Sequence, residues 1–170
     1  MKLSAKGAIE IISHEGICLE PYLDSVGVWT IGVGITKGAG VDPLKLGKIT
    51  LQQAVDLFLE KVTQYSSAVD RLGRAWTQPQ YDALTSFCYN CGPGNLASLC
   101  RGRVTLQVGS AFSLYLRPPE IAGRRKKEQT LFTKGVYSST GKVLVFPVRG
   151  NHPWYGGGKQ VDIKPYFKGE

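Results

Sequence analysis

The 170-residue chain carries 21 basic and 13 acidic side chains, a formal net charge of +8, and is 42% hydrophobic. That is enough apolar material for one sizeable core, or for two small lobes sharing a connector, and too little for two independent domains. No apolar run approaches the roughly 20 residues a bilayer span needs, which predicts a soluble chain with no secretion signal and no stable membrane insertion, and the positive excess favours polyanionic partners such as nucleic acid, anionic membranes or bacterial wall polymers.

Ser4 is placed as an N-cap, Ala8, Ile9 and Ile12 follow at helical spacing, and Gly16 supplies a stop, predicting a short helix with Glu15 in its last turn. Pro21 forbids a continuation. Residues Cys18 to Asp24 alternate, with Leu19 and Leu23 on one side and Glu20, Tyr22 and Asp24 on the other, and Ser25-Val26-Gly27 reads as the turn of a hairpin. The second strand is VWTIGVGIT, Val28 to Thr36, with Trp29, Ile31, Val33 and Ile35 on one face. Thr30, Gly32 and Gly34 fall on the other, which reads as a surface kept bare for a close approach.

Residues 37 to 49 read as a loop, and Thr50 with Gln53 forms a capping box that opens a long helix to about Leu72. Its buried stripe is Phe58, Val62, Tyr65, Val69 and Leu72. A second capping box, Thr77 with Gln80, opens a helix that Gly92-Pro93-Gly94 stops. Shorter helical patterns cover 96–101 and 105–116, and a basic helix runs from Glu120 to Thr133 after Pro118-Pro119. Beyond it, VYSSTGKVLVFPV (136–148) alternates as a hairpin around Ser-Thr-Gly, expected to pack on the helical lobe because an isolated hairpin is marginal in water. HPWYGGGKQ then reads as a loop.

Cys88 and Cys91 form a C-x-x-C with no second pair, and His14 and His152 lie far off, so the spacing does not support zinc. No metal or cofactor is expected. Cys18, Cys88, Cys91 and Cys100 read as reduced thiols, with a disulfide from Cys100 to Cys88 or Cys91 after export as the alternative.

A hairpin turn centred on Gly27 puts Asp24 opposite Thr30, with Cβ atoms roughly 5 Å apart. Glu15 sits at the helix end just before the hairpin. Two carboxylates flanking a bond are the equipment of a glycoside hydrolase.

Those residues carry a resemblance. Glu15, Asp24 and Thr30, set in HEGICLEPYLDSVGVWTIGVGIT, are similar to the Glu, Asp, Thr triad of the phage-type lysozymes, glycoside hydrolase family 24. ALTSFCYNCGPGNLASL resembles that family's helix ending in Phe-Asn-x-Gly, and GRRKKEQTLF its Arg-Arg-x-x-Glu-x-x-Leu-Phe helix. The likeness covers about 4–133 and implies an α+β, lysozyme-like fold: a small N-terminal β-hairpin lobe and a larger helical lobe joined by a long helix. Residues 134–170 form an extension to this single catalytic domain.

The resemblance implies hydrolysis of the β-1,4 bond between N-acetylmuramic acid and N-acetylglucosamine in peptidoglycan, by a monomer. It makes Glu15 the general acid, Asp24 the carboxylate that assists water or the developing positive charge, and Thr30 the positioner of that water. Arg124 would pair with Glu15. Tyr22, Gly32 and Gly34 belong to the glycan-facing hairpin, and Tyr89, Asn90 and Ser98 match positions near the sugar cleft. The chain departs from the family at Ile35, where a histidine is usual, and at Cys88-Tyr89-Asn90-Cys91-Gly92.

Three rival readings remain at this level. A lytic transglycosylase would cut the same bond with one glutamate, but Asp24 and Thr30 favour water as nucleophile. A noncatalytic wall binder would use the tail aromatics Trp154, Tyr155, Tyr166 and Phe167. A nucleic-acid binder would rest on Arg124, Arg125, Lys126 and Lys127, which as consecutive residues fan around a helix, so nucleic acid is not an expected partner. The biology implied is that of a bacteriophage endolysin, made in the host cytoplasm and released to the wall through a holin.

Overall fold

The computed structural model describes residues 1–167. In chain order its elements are α1 (Ala5–Glu15), β1 (Cys18–Leu23), β2 (Trp29–Gly32), β3 (Ile35–Thr36), α2 (Pro43–Leu46), α3 (Leu51–Asp70), α4 (Gln78–Cys100), α5 (Thr105–Ala111), α6 (Ala122–Lys134), β4 (Lys142–Val145), β5 (Val148–Arg149), β6 (His152–Pro153) and β7 (Lys159–Asp162). The fold is α+β, helices with small antiparallel sheets. The chain divides into two compact units, one of Met1–Ile11 with Val62–Ser139, the other of Ile12–Lys61 with the residues from Thr140 onward. The chain passes between the units inside α1, inside α3 and after Ser139.

Local signals set most helix ends. Ser4 Oγ accepts from the Gly7 N–H at 3.0 Å, so α1 starts on its N-cap. At α3 the Thr50 N–H donates to Gln53 Oε1 at 2.8 Å and the Gln53 N–H to Thr50 Oγ1 at 3.2 Å, closing the capping box. The Thr77 N–H donates to Gln80 Oε1 at 3.0 Å at the start of α4. Gly92 breaks that helix with φ +81° and ψ 165°, after which the chain turns helical again to Cys100. The 37–49 stretch is less loop-like than its composition suggests, because Asp42 caps the single turn of α2.

The helical unit closes around Val69, Leu84, Phe87, Leu99, Phe112, Leu131 and Phe132, all buried. Its rings interlock edge-on, with the Phe87 and Phe112 centroids 5.6 Å apart. A buried carboxylate, Asp82, holds the N-terminal segment and Tyr137 in place, accepting from the Ser4 N–H at 3.1 Å and the Tyr137 hydroxyl at 2.7 Å.

In the other unit, β1, β2 and β3 form an antiparallel sheet over Ile12, Ile17, Ile31, Val33, Ile49, Val55 and Phe58. The hairpin between β1 and β2 forms, but not in the expected register. Its register pairs Tyr22 with Thr30 and Leu23 with Trp29, so Thr30 faces Tyr22 rather than Asp24. The Asp24 N–H instead donates to the Val28 carbonyl, and the Gly27 N–H to the Asp24 carbonyl, a three-residue turn that advances the pairing. A bulge between Cys18 and Tyr22 shifts the register again at Pro21, which has no N–H to give the ladder.

VWTIGVGIT is likewise two strands. The chain reverses between β2 and β3, with Ile31 paired to Ile35. Gly32 and Gly34 have φ of +64° and +72°, so they serve this tight turn instead of clearing a flat face. Gly32 is buried, and a Cβ on it would point toward Ile49 Cδ1 at 3.8 Å and Ala54 Cβ at 3.9 Å. Gly32→Ala therefore meets space but a strained backbone, and is expected to cost about 1–2 kcal/mol. Thermal unfolding checks this; an unchanged midpoint would restore Gly32 as open floor.

The tail also differs from its reading. Within VYSSTGKVLVFPV, β4 pairs with β7, Val143 opposite Val161, rather than in a local hairpin, and the last residue, Val148, opens β5, which pairs with β6. The HPWYGGGKQ loop contains β6 and enters β7. Up to Ser139 the extension stays with the helical unit, where the Ser138 and Ser139 N–H groups donate to the buried Glu10 carboxylate at 2.9 and 2.8 Å. From Thr140 on it belongs with the hairpin, not the helical lobe. There the Ile17 N–H donates to the Leu144 carbonyl at 2.9 Å, the Phe146 N–H to Ile17 at 2.8 Å and the Leu23 N–H to Asn151 at 2.6 Å.

Candidate active site

Glu15 is the last residue of α1 and is exposed, and Gly16 turns the chain sharply into β1 with φ +73°. Asp24 follows β1. Its Oδ1 accepts from the Val26 N–H at 2.9 Å and the Val28 N–H at 2.8 Å, so the hairpin turn fixes the carboxylate while it stays half-buried. Thr30, in β2, is only 2% exposed. Its hydroxyl donates to the Val28 carbonyl at 2.9 Å, which orients the oxygen's lone pairs for a further donor.

Tyr22 reports that these groups converge. Burial pushes its phenol well above the ordinary range, and the negative charges of Cys18, Glu15, Tyr155 and Asp24 push the same way. Both carboxylates thus act on one ring beside Thr30. Glu15 ends α1, Tyr22 lies in β1 with Asp24 just after it, and Thr30 lies in β2, all in a single unit, whereas Gly32 and Gly34 are occupied with the β2–β3 turn.

The other anticipated residues lie on the helical unit. Tyr89 packs its ring on Tyr65, centroids 4.8 Å apart. Ser98 is exposed on the last turns of α4, its carbonyl accepting from Arg103 Nη1 at 2.8 Å. Asn90 Oδ1 accepts from Arg125 Nη2. Arg124 Nε donates to Glu128 Oε1 at 2.9 Å, and its Nη2 to the Ser86 carbonyl at 3.1 Å.

Sequence reasoning missed Arg125. As one of four consecutive basic residues it reads as surface, yet it is fully buried, with Nη1 on Glu128 and its guanidinium 4.7 Å over the Phe87 ring. Glu128, also buried, takes a further bond from Ser86 Oγ at 2.6 Å. The signal was the i, i+3 and i, i+4 spacing of Arg125 and Arg124 to Glu128, which puts the three on one face. The asparagine of one motif and the Arg-Arg-x-x-Glu of another therefore meet in one polar cluster.

All four cysteines are free thiols, with Cys18, Cys88 and Cys100 buried. Burial raises the Cys18 thiol to about 11 and Cys88 to about 12, as for inert packing residues. Among the described residues no group of three or more His, Cys, Asp or Glu could hold a metal ion, and no helix is long and apolar enough to cross a membrane.

The chain is 32% identical over 143 residues to the endolysin of Salmonella phage P22, across 78% of this chain and 98% of that protein. It is 33% identical over 151 residues to the endolysin of Bacillus phage PZA, across 79% of this chain and 56% of that longer protein. Its fold superposes on an endolysin from Escherichia coli O157:H7 phage FAHEc1 with a TM-score of 0.71 and 29% identity, covering 82% of this chain and 98% of that one. The muramidase domain of SpmX from Asticaccaulis excentricus superposes with a TM-score of 0.65 and 28% identity, over 78% and 98%. With residues 12–109 matching the phage lysozyme family model, a span that contains Glu15, Asp24 and Thr30, the chain belongs to the phage lysozyme family.

Proposed function

We propose that this lysozyme, an endolysin that cleaves bacterial peptidoglycan, cuts the β-1,4 bond between N-acetylmuramic acid and N-acetylglucosamine by direct attack of water. Glu15 protonates the departing glycosidic oxygen. Water held by the Thr30 hydroxyl attacks the anomeric carbon from the opposite face while Asp24 accepts its proton. The observation that carries this reading is the placement of Glu15 at the end of α1, of the Asp24 carboxylate fixed by the hairpin turn, and of Thr30 opposite Tyr22 in β2. Tyr22 is proposed to contact the glycan there, and Tyr89, Asn90, Ser98 and Arg124 to contact it on the helical unit. Residues 1–170 act as one catalytic domain, as a monomer, reaching the wall through a holin.

The stereochemistry tests the mechanism. An inverting enzyme leaves room for water between its carboxylates, whereas a retaining one puts the second carboxylate at bonding distance from the sugar. Water on Thr30 gives an α-configured reducing end from the β-linked glycan, visible in an NMR time course before mutarotation. The β-anomer appearing first would replace water by a covalent intermediate on Asp24. An anhydro-muramic product would make the enzyme a transglycosylase.

A further inference from the structure

The residues from Thr140 onward lie beyond the family match, yet with the hairpin they enclose a groove of about 660 Å³. That is within the range of small-ligand sites. Leu19 and Glu20 of β1, Lys48 before α3, and Phe146, Trp154 and Lys159 of the extension are among its lining.

The wall depends on the Gly156-Gly157-Gly158 run. A Cβ on Gly157 would lie 2.3 Å from Trp154 Cε3, and one on Gly158 2.7 Å from Phe146 Cε1, so only glycine lets the chain lie against these rings. Phe146 also reaches the catalytic side, since a Cβ on Gly16, next to Glu15, would lie 2.7 Å from its Cε2. The groove is thus one ring away from the residue that follows Glu15.

The lining is apolar at its base and charged at its rim. Lys48 and Lys159 are exposed, Glu20 is half-buried, and among the described residues none of the three is in an ion pair. Trp154 does not offer an open platform for a sugar ring. The Arg149 guanidinium stands 3.3 Å over its centroid and the glycine turn crowds its benzo edge. A ligand with methyl groups, more carboxylates than amines and an extended backbone fits better than a pyranose.

We propose that this groove binds the stem peptide borne by the muramic acid residues of peptidoglycan. The apolar base receives its alanyl methyls, Lys48 and Lys159 meet its carboxylates, and Glu20 meets its amine. The proposal rests on the hydrolase reading above, and the extension becomes the part of the chain that senses whether the glycan carries peptide.

The test compares kcat/KM of the full chain on soluble glycan strands bearing stems with the same strands after amidase has removed them. Native enzyme is expected to prefer the stem-bearing strands roughly tenfold, the size of one charge-assisted contact. In K48E/K159E, whose substitutions are at exposed positions, that ratio should fall toward one. A native ratio near one, or an unchanged ratio in the folded double variant, overturns the proposal. NMR titration with a free tetrapeptide stem should shift resonances of Leu19, Phe146 and Trp154; no shift at millimolar peptide, or equal shifts with stem-free chitooligosaccharide, overturns it too. Native chain that cleaves neither substrate would sink the hydrolase reading itself, leaving the groove to be decided by the titration alone.

Discussion

Glu15→Gln is expected to remove wall lysis while leaving the fold intact, because a lost general acid costs about 10²–10⁴ in rate. Glutamine keeps the shape and the hydrogen-bonding capacity of the side chain but has no proton to give the leaving oxygen. Glu15 is exposed at the end of α1, so the exchange for an isosteric side chain should leave the melting transition close to native. Clearing of purified sacculi, followed beside thermal unfolding, measures both. Substantial lysis by a natively folded variant would remove Glu15 from the chemistry and reopen the assignment of the acid.

The largest effect on stability is expected from Arg125→Ala. The guanidinium is buried against Glu128, Asn90 and the Tyr115 carbonyl at 3.3 Å, over the Phe87 ring. Removing it leaves Glu128 buried with Arg124 and Ser86 as its remaining partners, and opens a void beneath Phe87. Breaking a buried pair from one side costs about 3–5 kcal/mol, which for a chain of this size lowers the melting temperature by on the order of 10 °C. Lys126→Ala, the exposed neighbour, should change stability by less than about 0.5 kcal/mol. Equal melting of the two variants would mean that the cluster adds nothing to the fold.

That contrast marks where sequence reasoning succeeds and where it stops. Capping boxes at Thr50 and Thr77 are legible because both partners lie within four residues, and the α3 stripe because it repeats over about four turns. The proposed catalytic residues also stand close in sequence, since Glu15 ends α1, Asp24 follows β1 and Thr30 lies in β2. Register is not legible: the turn at Gly27 and the bulge at Pro21 each slip the pairing, and alternation looks the same before and after. Nor does alternation reveal the reversal at Gly32, because β2 and β3 keep the same period on either side of it. The partner of β4 lies beyond the nearest turn, so no local pattern announces β7. Arg125 is hidden by its neighbours, as a run of basic residues does not say which of them turns inward.

The bonds that Leu144 and Phe146 make to Ile17, and Asn151 to Leu23 of β1, have a consequence for the chain at high concentration. A strand whose outer backbone groups are open is a template on which another copy can add its own strand. Here the extension fills that place, with the Ile17 N–H and carbonyl and the Leu23 N–H already paired inside the same chain. The segment is therefore a built-in guard against polymerisation as much as it is a wall of the groove. A chain cut after Thr133 would offer those donors and acceptors to any neighbour, and clumping of the enzyme, ahead of any loss of lytic rate, would be the first sign that the guard was gone.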